Sequence, residues 1–286
     1  MRRTVLVTGA AGQLAEAIIE TFGPDYRVVA LTRAELDITD ESAVESAIAA
    51  QSPAIVINCA SDNDVDGAQT HPVRALEINA FGVRALARAV ERIPATLVHY
   101  STDFVFDGTA TRPYVEDDRP NPQSVYSASK LLGEWFALEV TRGFVLRVES
   151  LFGLPAAGCP ARGSLERLVS GIDAGVEVPV FSDRTVSPSC VQDIAAATRA
   201  LLDRQAPAGV YHCVNTGACS WVDVAREAGR LLATTPRLRL ITLEDVALPA
   251  PRPKFCALDN SRLTGLGIVM PTWQDALARH INARRS

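Results

Sequence analysis

The sequence lacks the excess of basic residues that proteins binding nucleic acids carry. Its 286 residues include 28 lysines and arginines against 33 aspartates and glutamates, which gives a formal net charge of −5. A protein that binds a phosphate backbone usually presents a basic patch and has a high isoelectric point. The isoelectric point here is about 5.5. We therefore expect no nucleic-acid partner.

The sequence also lacks an apolar run that could span a membrane. The longest uncharged stretch, residues 205–222, contains Pro207, His212 and Asn215, which are too polar or too disruptive for a helix in hydrocarbon. At the amino terminus, two arginines precede an apolar stretch of about five residues, whereas a secretory signal core needs about 7–15. We expect a soluble, cytoplasmic protein that does not associate with membranes.

The six cysteines form no recognisable metal or disulfide pattern. There is no CxxC pair and no histidine–cysteine pair at zinc spacing. Cys59 in VINCA and Cys213 in GVYHCVN lie in apolar runs, where a thiol behaves as a small buried hydrophobe. The pattern predicts neither disulfides nor a cysteine-bound metal.

The first half of the sequence alternates short β-branched runs with longer helical patterns. The short runs are apolar almost throughout, as strands buried on both faces of a parallel sheet are. The strands are predicted at residues 4–8, 27–31, 54–58, 95–100 and 144–148, and the helices near 13–22, 41–51, 72–92 and 125–141. This alternation predicts right-handed βαβ units and a Rossmann-type doubly wound parallel sheet of the α/β class.

The pattern loosens from about Leu151, where Pro155, Gly158, Pro160 and Gly163 lie close together. Helices near 164–174, 190–203, 221–233 and 272–284 then mix with strands at 178–181 and 209–214. We predict an NAD(P)-binding Rossmann domain over residues 1–150. Residues 151–286 are predicted to form a smaller C-terminal α/β substrate lobe that returns some elements to the Rossmann sheet.

A glycine-rich turn directly follows the first predicted strand. Gly9 and Gly12 stand in a GxxGxxA string that ends at Ala15 and opens a helix. Glycines allow the backbone to turn tightly and approach a pyrophosphate, and the amino terminus of a helix attracts an anion. The position of the string after a strand and before a helix favours a dinucleotide site.

Two further strings place proton-transferring side chains near strand ends. Tyr126 and Lys130 are four residues apart on a predicted helix and so share one face. A nearby ammonium favours the phenolate, which predicts a pKa for Tyr126 lowered from about 10 towards neutrality and a useful proton donor. Thr102, in the string Ser-Thr-Asp after the fourth strand, places a hydroxyl at the carboxyl edge of the sheet, where it can meet a substrate.

Seven segments together resemble the extended short-chain dehydrogenase/reductases and, within them, the dTDP-4-dehydrorhamnose reductase family. They are TGAAGQLA, LTRAELDIT, STDFVFDG, VYSASKLLGE, DRTVSPS, GVYHCVNTG and RPKFCALDNSRL. The matches run from residue 4 to about residue 281. The combination of STDFVFDG with RPKFCALDNSRL is more specific than the glycine string or the Tyr–Lys spacing alone.

The resemblance implies an NAD(P)H-dependent reductase with Thr102, Tyr126 and Lys130 as its catalytic residues. The cofactor residues that it implies are Gly9, Gly12, Gln13 and Leu14 at the pyrophosphate, Asp37 and Ile38 beside the adenine, Cys59, Ala60 and Ser61 after the third strand, Asn79 near the active site, and Tyr126 with Lys130. Its implied substrate is a nucleotide-linked 4-keto-6-deoxy sugar, contacted by Asn63, Asp103, Phe104, Ser150 and Arg252.

The second strand end bears on the choice of cofactor. An acid about 20 residues after the glycine loop would bind the ribose of NAD, whereas an arginine accommodates the 2′-phosphate of NADP. Counting from Gly12 reaches Thr32 and Arg33, with no acid before Glu35. We therefore predict NADPH as the preferred cofactor, with NADH possible.

The sequence departs from the family pattern at the sugar end of the pocket. Phe104 keeps an aromatic ring without a hydroxyl, Asn63 stands where a threonine is frequent, and Arg147 is followed by Val-Glu-Ser without the frequent tryptophan. Some family members bind magnesium through acids at the positions of Ala17, Gln192 and Ala196 here. None of these three offers a carboxylate, so we predict no metal.

Three other functions stay open from the sequence. A sugar 4-epimerase of the same superfamily would use a similar set of residues. A 4,6-dehydratase needs an Asp-Glu pair after the threonine, and here Asp103 is followed by Phe104. The regulatory subunit of methionine adenosyltransferase resembles the same family and acts by contact with a partner.

Two further expectations concern the oligomeric state and a histidine. A homodimer is possible. We interpret His99, which lies on the fourth strand close to the predicted catalytic residues, as a hydrogen-bonded structural residue.

Overall fold

A computed structural model of the protein describes residues 2–153 and 163–285, which form a mixed α/β structure. The strands are β1 Thr4–Thr8, β2 Arg27–Leu31, β3 Ile55–Asn58, β4 Thr96–Thr102, β5 Gly143–Val148, β6 Leu151–Phe152, β7 Val178–Phe181, β8 Thr185–Val186, β9 Ser189–Cys190, β10 Gly209–His212, β11 Cys219–Ser220 and β12 Leu238–Ile241. The α-helices are α1 Gln13–Phe22, α2 Glu41–Gln51, α3 Val65–Thr70, α4 Pro72–Leu76, α5 Gly82–Glu91, α6 Val125–Leu138, α7 Ser164–Asp173, α8 Val191–Asp203, α9 Trp221–Leu231, α10 Ser261–Gly265 and α11 Trp273–Arg285.

Six strands form a parallel sheet in the order β10-β5-β4-β3-β1-β2. The predicted doubly wound α/β fold is confirmed. Strand β1 pairs with β2 on one side and with β3 on the other, so the chain changes its winding direction beside β1. Ligands of such sheets bind at this switch point, beyond the carboxyl ends of the strands.

Helices cover both faces of the sheet because successive side chains of a buried strand point to opposite faces. On one face, Val5 and Val7 of β1 belong to the same core as Ile18 of α1 and Ile194 of α8. On the other face, Leu6 belongs to a core that contains residues of α2 and α5. The carboxyl edge of the sheet is thereby held between two packed layers.

The second half of the chain builds a separate core and also extends the sheet. Helices α7, α9 and α11 pack around Phe152, Val180, Trp221 and Trp273. Strand β7 pairs with β12, and β6 pairs with β9. Strand β10 lies beside β5 at the edge of the main sheet. The predicted loosening at Pro155–Pro160 lies outside the described residues.

One helix differs from its prediction. The pattern over residues 72–92 forms α4, then a π-helical turn over Glu77–Phe81, then α5. The wider turn rotates the buried face, so Val73 is 65% exposed, while Ala75 and Asn79 are buried. The sequence did not predict α3, α10 and β12, because these elements are too short to show a clear hydrophobic period. Within the described parts of the chain, none of the helices has the length and apolar character needed to cross a membrane.

Candidate active site

The loops after β1 and β3 touch at the switch point, and this contact requires a glycine. Gly9 has a φ of +65°, and a Cβ at this position would lie 2.6 Å from the main-chain nitrogen of Ala60. Gly12 is the residue that caps the amino terminus of α1, and it brings no side chain to that position. The result is a backbone cradle at a helix amino terminus, which fits the pyrophosphate of a dinucleotide.

Gln13 and Leu14, both predicted to bind the cofactor, use their side chains within the fold. The Gln13 amide donates a 2.8 Å hydrogen bond to the main-chain oxygen of Gly153, across the site. The Leu14 side chain is buried in the core with α1 and α8. Only the main chain of Leu14 is therefore positioned to contact an anion at the start of α1.

The residues after β2 form an exposed polar rim. Arg33 and Asp37 form a salt bridge of 3.2 Å. Hydrogen bonds from Thr39, and to a smaller extent the charge of Arg33, lower the pKa of Asp37. The Glu35 carboxylate accepts hydrogen bonds from the main chain and hydroxyl of Thr32. Arg33 thus lies just after the carboxyl end of β2, with Asp37 as its ion-pair partner.

Ile38, predicted beside the adenine, is buried against Gly82 of α5, whose Cβ would lie 2.7 Å from the Ile38 side chain. Cys59, after β3, is a free cysteine whose pKa is raised to about 12 by burial. Both side chains pack within the cores on either face of the sheet.

A buried hydrogen-bond chain runs beneath the glycine loop. The Thr8 hydroxyl donates to Asn58 Oδ1 at 2.7 Å, and Asn58 Nδ2 lies 3.1 Å from His99 Nδ1. Burial, assisted by the charge of Lys130, holds the pKa of His99 well below its usual value. His99 is hydrogen-bonded through Nδ1 as expected, while its Nε2 is buried with no partner among the described residues, so its structural role stays an interpretation.

Asn79, on the π-helical turn, fixes the loop after β3. Its Oδ1 accepts from Ser61 Oγ at 2.9 Å and from the Asp62 main chain at 2.8 Å. Its Nδ2 donates to the Asp62 carbonyl at 2.9 Å and to Ser129 Oγ at 3.1 Å. These bonds use both donors and both acceptor positions of the amide, so the Asn79 side chain fixes Ser61 and the loop after β3.

Tyr126 and Lys130 occupy the first two turns of α6, whose start is fixed by a capping box between Ser124 and Ser127. Lys130 Nζ donates to the main-chain carbonyl of Tyr100 at 2.6 Å and to Ser61 Oγ at 3.4 Å. Burial lowers the pKa of Lys130 to about 8, although the nearby Glu134 carboxylate opposes this shift. The ammonium therefore lies between α6, β4 and the loop after β3.

The expected lowering of the Tyr126 pKa is wrong. Burial raises the pKa of Tyr126 above its usual value, the charges of Asp103 and Asp62 raise it further, and only a hydrogen bond with Thr102 lowers it. The ammonium of Lys130 binds the Tyr100 carbonyl instead of the phenol. Tyr126 consequently stays protonated at neutral pH and has a proton to donate.

Thr102, Asp103 and Phe104 surround the Tyr126 hydroxyl from β4 and the turn after it. The Phe104 ring meets the Tyr126 ring edge-on, with centroids 6.0 Å apart. The Thr102 hydroxyl lies 2.9 Å from Asp103 Oδ1. Arg184 lies over the Phe104 ring at 5.8 Å. The structure thus brings together the three predicted catalytic residues and two of the predicted substrate residues.

The other predicted substrate residues are more dispersed. Asn63 is exposed on the loop before α3. Ser150 is half-buried with a φ of +44°. Arg252 donates to Asp66 of α3 at 2.9 Å and to the Ala250 carbonyl at 2.8 Å. Arg252 therefore ties the late segment of the chain to the first half.

Sequence reasoning missed three residues next to Asp103: Glu149, Arg184 and Cys256. One carboxylate oxygen each of Asp103 and Glu149 and the sulfur of Cys256 lie within 4.8 Å of one another. Asp103, Glu149 and Cys256 are all buried. The sequence offered one signal for Glu149, which is an acid directly after the apolar strand β5. The expectation for this segment concerned only the missing tryptophan.

Comparisons with known proteins identify the family of the chain. The family model described as RmlD substrate binding domain matches residues 2–286. The chain is 39% identical to a dTDP-4-dehydrorhamnose reductase of Streptomyces griseus, covering 97% of this chain and 93% of that protein. It is 35% identical to the dTDP-4-dehydrorhamnose reductase of Mycobacterium tuberculosis, covering 98% and 92%.

A solved structure gives the same result. The dTDP-4-dehydrorhamnose reductase of Bacillus anthracis in complex with NADP superposes with a TM-score of 0.92 at 31% identity, covering 99% of this chain and 100% of that one. The predicted resemblance is confirmed. The chain belongs to the dTDP-4-dehydrorhamnose reductase family.

Proposed function

We propose that the protein is an NADPH-dependent reductase of a nucleotide-linked 4-keto-6-deoxy sugar, of the type that yields dTDP-L-rhamnose. One observation carries the proposal. A buried, protonated Tyr126 lies beside Thr102, one helical turn from Lys130 and beside a backbone cradle for a pyrophosphate. The names of the family relatives support the same reaction.

The cofactor site begins at the glycine loop and ends at Lys130. The cradle of Gly9 and Gly12 would hold the pyrophosphate, and Ser61 with Lys130 would bind the ribose hydroxyls. NADPH, when bound there, supplies the hydride that reduces C4 of the sugar. Asn79 and the Tyr100 carbonyl hold Ser61 and Lys130 in place.

Tyr126 acts as the general acid of the reaction. As negative charge develops on the C4 oxygen, the phenol donates its proton to that oxygen. Thr102 donates a second hydrogen bond to the same oxygen and stabilises the developing charge. Phe104 shields the phenol from one side, which strengthens both hydrogen bonds by excluding water.

The second part of the chain supplies the sugar side of the pocket. We divide the chain into a Rossmann domain over residues 1–150 and a substrate lobe over 151–286. Two cations of this lobe, Arg184 and Arg252, contact the first half of the chain near the site, at the Phe104 ring and at Asp66. The absence of the family's usual tryptophan after Arg147 leaves the sugar end of the pocket different from that of other members.

The test is a screen of NADPH oxidation by the purified protein against dTDP-, GDP- and UDP-linked 4-keto-6-deoxy sugars. Stoichiometric oxidation with one of them supports a reductase, and product analysis identifies the configuration at C4. Interconversion of C4 epimers without net oxidation of NADPH would indicate an epimerase. Tight NADPH binding without turnover of any of the sugars would indicate a regulatory subunit instead.

We further propose that the protein works in the cytoplasm and forms a homodimer. Five cysteines of the described residues are free, as is usual in a reducing compartment. Phe81, Trp135 and Leu138 are exposed apolar side chains near α5 and α6, which a second copy could cover. Light scattering of the purified protein measures the oligomeric state directly.

A further inference from the structure

Two buried carboxyl groups lie directly behind Thr102. Asp103 follows Thr102 in the chain, and Glu149 follows the end of β5, the strand next to β4. Glu149 Oε2 accepts a 2.6 Å hydrogen bond from the main chain of Ser187, and Asp103 Oδ1 lies 2.9 Å from the Thr102 hydroxyl. The remaining oxygens, Asp103 Oδ2 and Glu149 Oε1, are buried and have no hydrogen-bond partner in the part of the chain that the structure describes.

The charges of this cluster do not balance if both carboxyl groups are ionised. Among the described residues, Arg184 is the cation that faces them, and its guanidinium donates to the Pro253 carbonyl and to Cys256 Sγ. The other titratable neighbours are the thiols of Cys256 and Cys219 and the phenol of Tyr126, which are neutral at pH 7. Within this part of the structure, two carboxylates against one guanidinium leave one buried negative charge uncompensated, which is costly away from solvent.

One proton on either carboxyl group removes this excess charge. Burial raises the pKa of both carboxyl groups, and the charge of Asp103 raises that of Glu149 further. Two interacting carboxyl groups titrate as a pair, so the proton belongs to both of them. A divalent cation would have to enter beside the Arg184 guanidinium, whose charge repels it.

The proton matters because a threonine has one hydroxyl hydrogen to donate. If Asp103 is ionised, it accepts that hydrogen, and Thr102 has none left for the ketone. If Asp103 carries the proton, it donates to Thr102 Oγ1, and the Thr102 hydrogen is free to point at the substrate. A ketone oxygen can only accept hydrogen bonds, so its presence favours the second arrangement.

We propose that Asp103 and Glu149 hold one proton between them at neutral pH, and that this proton orients the Thr102 hydroxyl as a donor to the substrate's C4 oxygen. Glu149 is therefore a positioning residue, which acts through Asp103 and Thr102. The orienting role rests on the proposed reductase function, whereas the shared proton does not. No net proton transfer from the pair takes place during turnover.

The first test is infrared difference spectroscopy of the free protein. The wild type at pH 7 should show the C=O stretch of a protonated carboxyl group, and this band should be lost on raising the pH. It should be absent at pH 7 from Glu149→Gln, because Asp103 without its acidic neighbour ionises next to Arg184. A wild type without the band at pH 7 overturns the proposal, whether or not the protein reduces a keto sugar.

The second test is the kinetic relation between two substitutions. Glu149→Gln should lower kcat at pH 7 by up to about 10²-fold, the value of one donor to a developing oxyanion, with little change in the Kd of NADPH. Adding Asp103→Asn should restore part of the lost kcat, because the asparagine amide cannot ionise and can donate to Thr102. A double variant no faster than Glu149→Gln contradicts the orienting role, since a purely structural role predicts additive losses. If Glu149→Gln does not fold, Asp103→Asn alone tests the orienting role. The pH profile of its kcat should lack the step that the titration of the carboxyl pair produces in the wild type. A pH profile identical to that of the wild type overturns the orienting role.

Discussion

Lys130 Nζ donates a 2.6 Å hydrogen bond to the main-chain carbonyl of Tyr100, two residues before Thr102 on β4. The bond attaches α6, which carries Tyr126, to the strand that carries Thr102. A buried ammonium needs such partners, because an unsatisfied charge in a low-dielectric interior is costly. The same bond keeps the ammonium away from the phenol, which explains why the Tyr126 pKa is not lowered.

The lowered pKa of Lys130 predicts a limit to cofactor binding at alkaline pH. Below a pH of about 8 the side chain is charged, and above it the side chain is neutral and attracts the cofactor less. We expect the Kd of NADPH to rise as the pH passes about 8, as measured by fluorescence titration. The chain has only one other lysine, the exposed Lys254, so Lys254→Ala is the matched control and should leave this profile unchanged.

Removing the hydroxyl of Tyr126 should abolish proton donation without emptying the cofactor site. We expect Tyr126→Phe to lower kcat by about 10²–10⁴-fold, the usual contribution of a general acid, with the Kd of NADPH nearly unchanged. Tyr26→Phe, at a tyrosine packed against Phe22 far from α6, is the control. A Tyr126→Phe variant that keeps more than about a third of wild-type turnover contradicts the assignment.

The contact between Gly9 and Ala60 can be tested against a glycine with a similar backbone. Gly9 has a φ of +65° and Gly175 a φ of +68°, but a Cβ at Gly175 would meet nothing within 4 Å. Both alanine variants pay about 1–2 kcal/mol for the left-handed conformation. Only Gly9→Ala also displaces the loop after β3, so we expect it alone to weaken NADPH binding, by at least about tenfold. Equal effects of the two substitutions on the Kd would show that the contact is unimportant.

Most of the fold could be predicted because its signals are local. The apolar runs and helical periods placed β1, β2, α1 and α2 within a residue of their observed bounds. The loops at the strand ends then indicated the cofactor cradle. The π-helical turn was not predictable, because an inserted residue changes the buried face without leaving a compositional mark. Its role is visible only in the contacts of Asn79 with Ser61 and Ser129.

The electrostatics of the site could not be predicted from spacing. The distance of four residues between Tyr126 and Lys130 placed the side chains on one face, but their pKa values depend on burial and on partners from β4. Glu149 and Asp103 are 46 residues apart in sequence, and only the pairing of β4 with β5 brings them together. A carboxyl group at a strand end is therefore ambiguous until its neighbours in the sheet are known.

The ion pair between Glu134 and Arg147 should contribute strongly to stability. It is bidentate at 2.9 and 2.8 Å, and its side chains are 2% and 3% exposed. Glu134→Gln leaves the guanidinium buried without its counter-charge, which costs about 3–5 kcal/mol in the free energy of unfolding. Glu41→Gln breaks the half-exposed pair with Arg88 and should cost less than about 1 kcal/mol. Chemical denaturation of both variants measures the difference, and similar losses would rule out a special role for the buried pair.

The preference for NADPH should depend on the charge balance at the end of β2. Arg33 is exposed there and can bind a 2′-phosphate through two parallel hydrogen bonds, whereas NADH offers it only a neutral hydroxyl. We expect NADPH to be favoured by about 1–2 kcal/mol, or roughly 5- to 30-fold in kcat/KM, and Arg33→Ala to remove most of this preference while barely changing activity with NADH. Asp37→Asn tests the same balance in the opposite direction. It releases Arg33 from its 3.2 Å salt bridge and removes a carboxylate that repels the phosphate, so the ratio of the two kcat/KM values should increase. Equal efficiency with both cofactors in the wild type, or a ratio that falls in Asp37→Asn, would refute the role of Arg33.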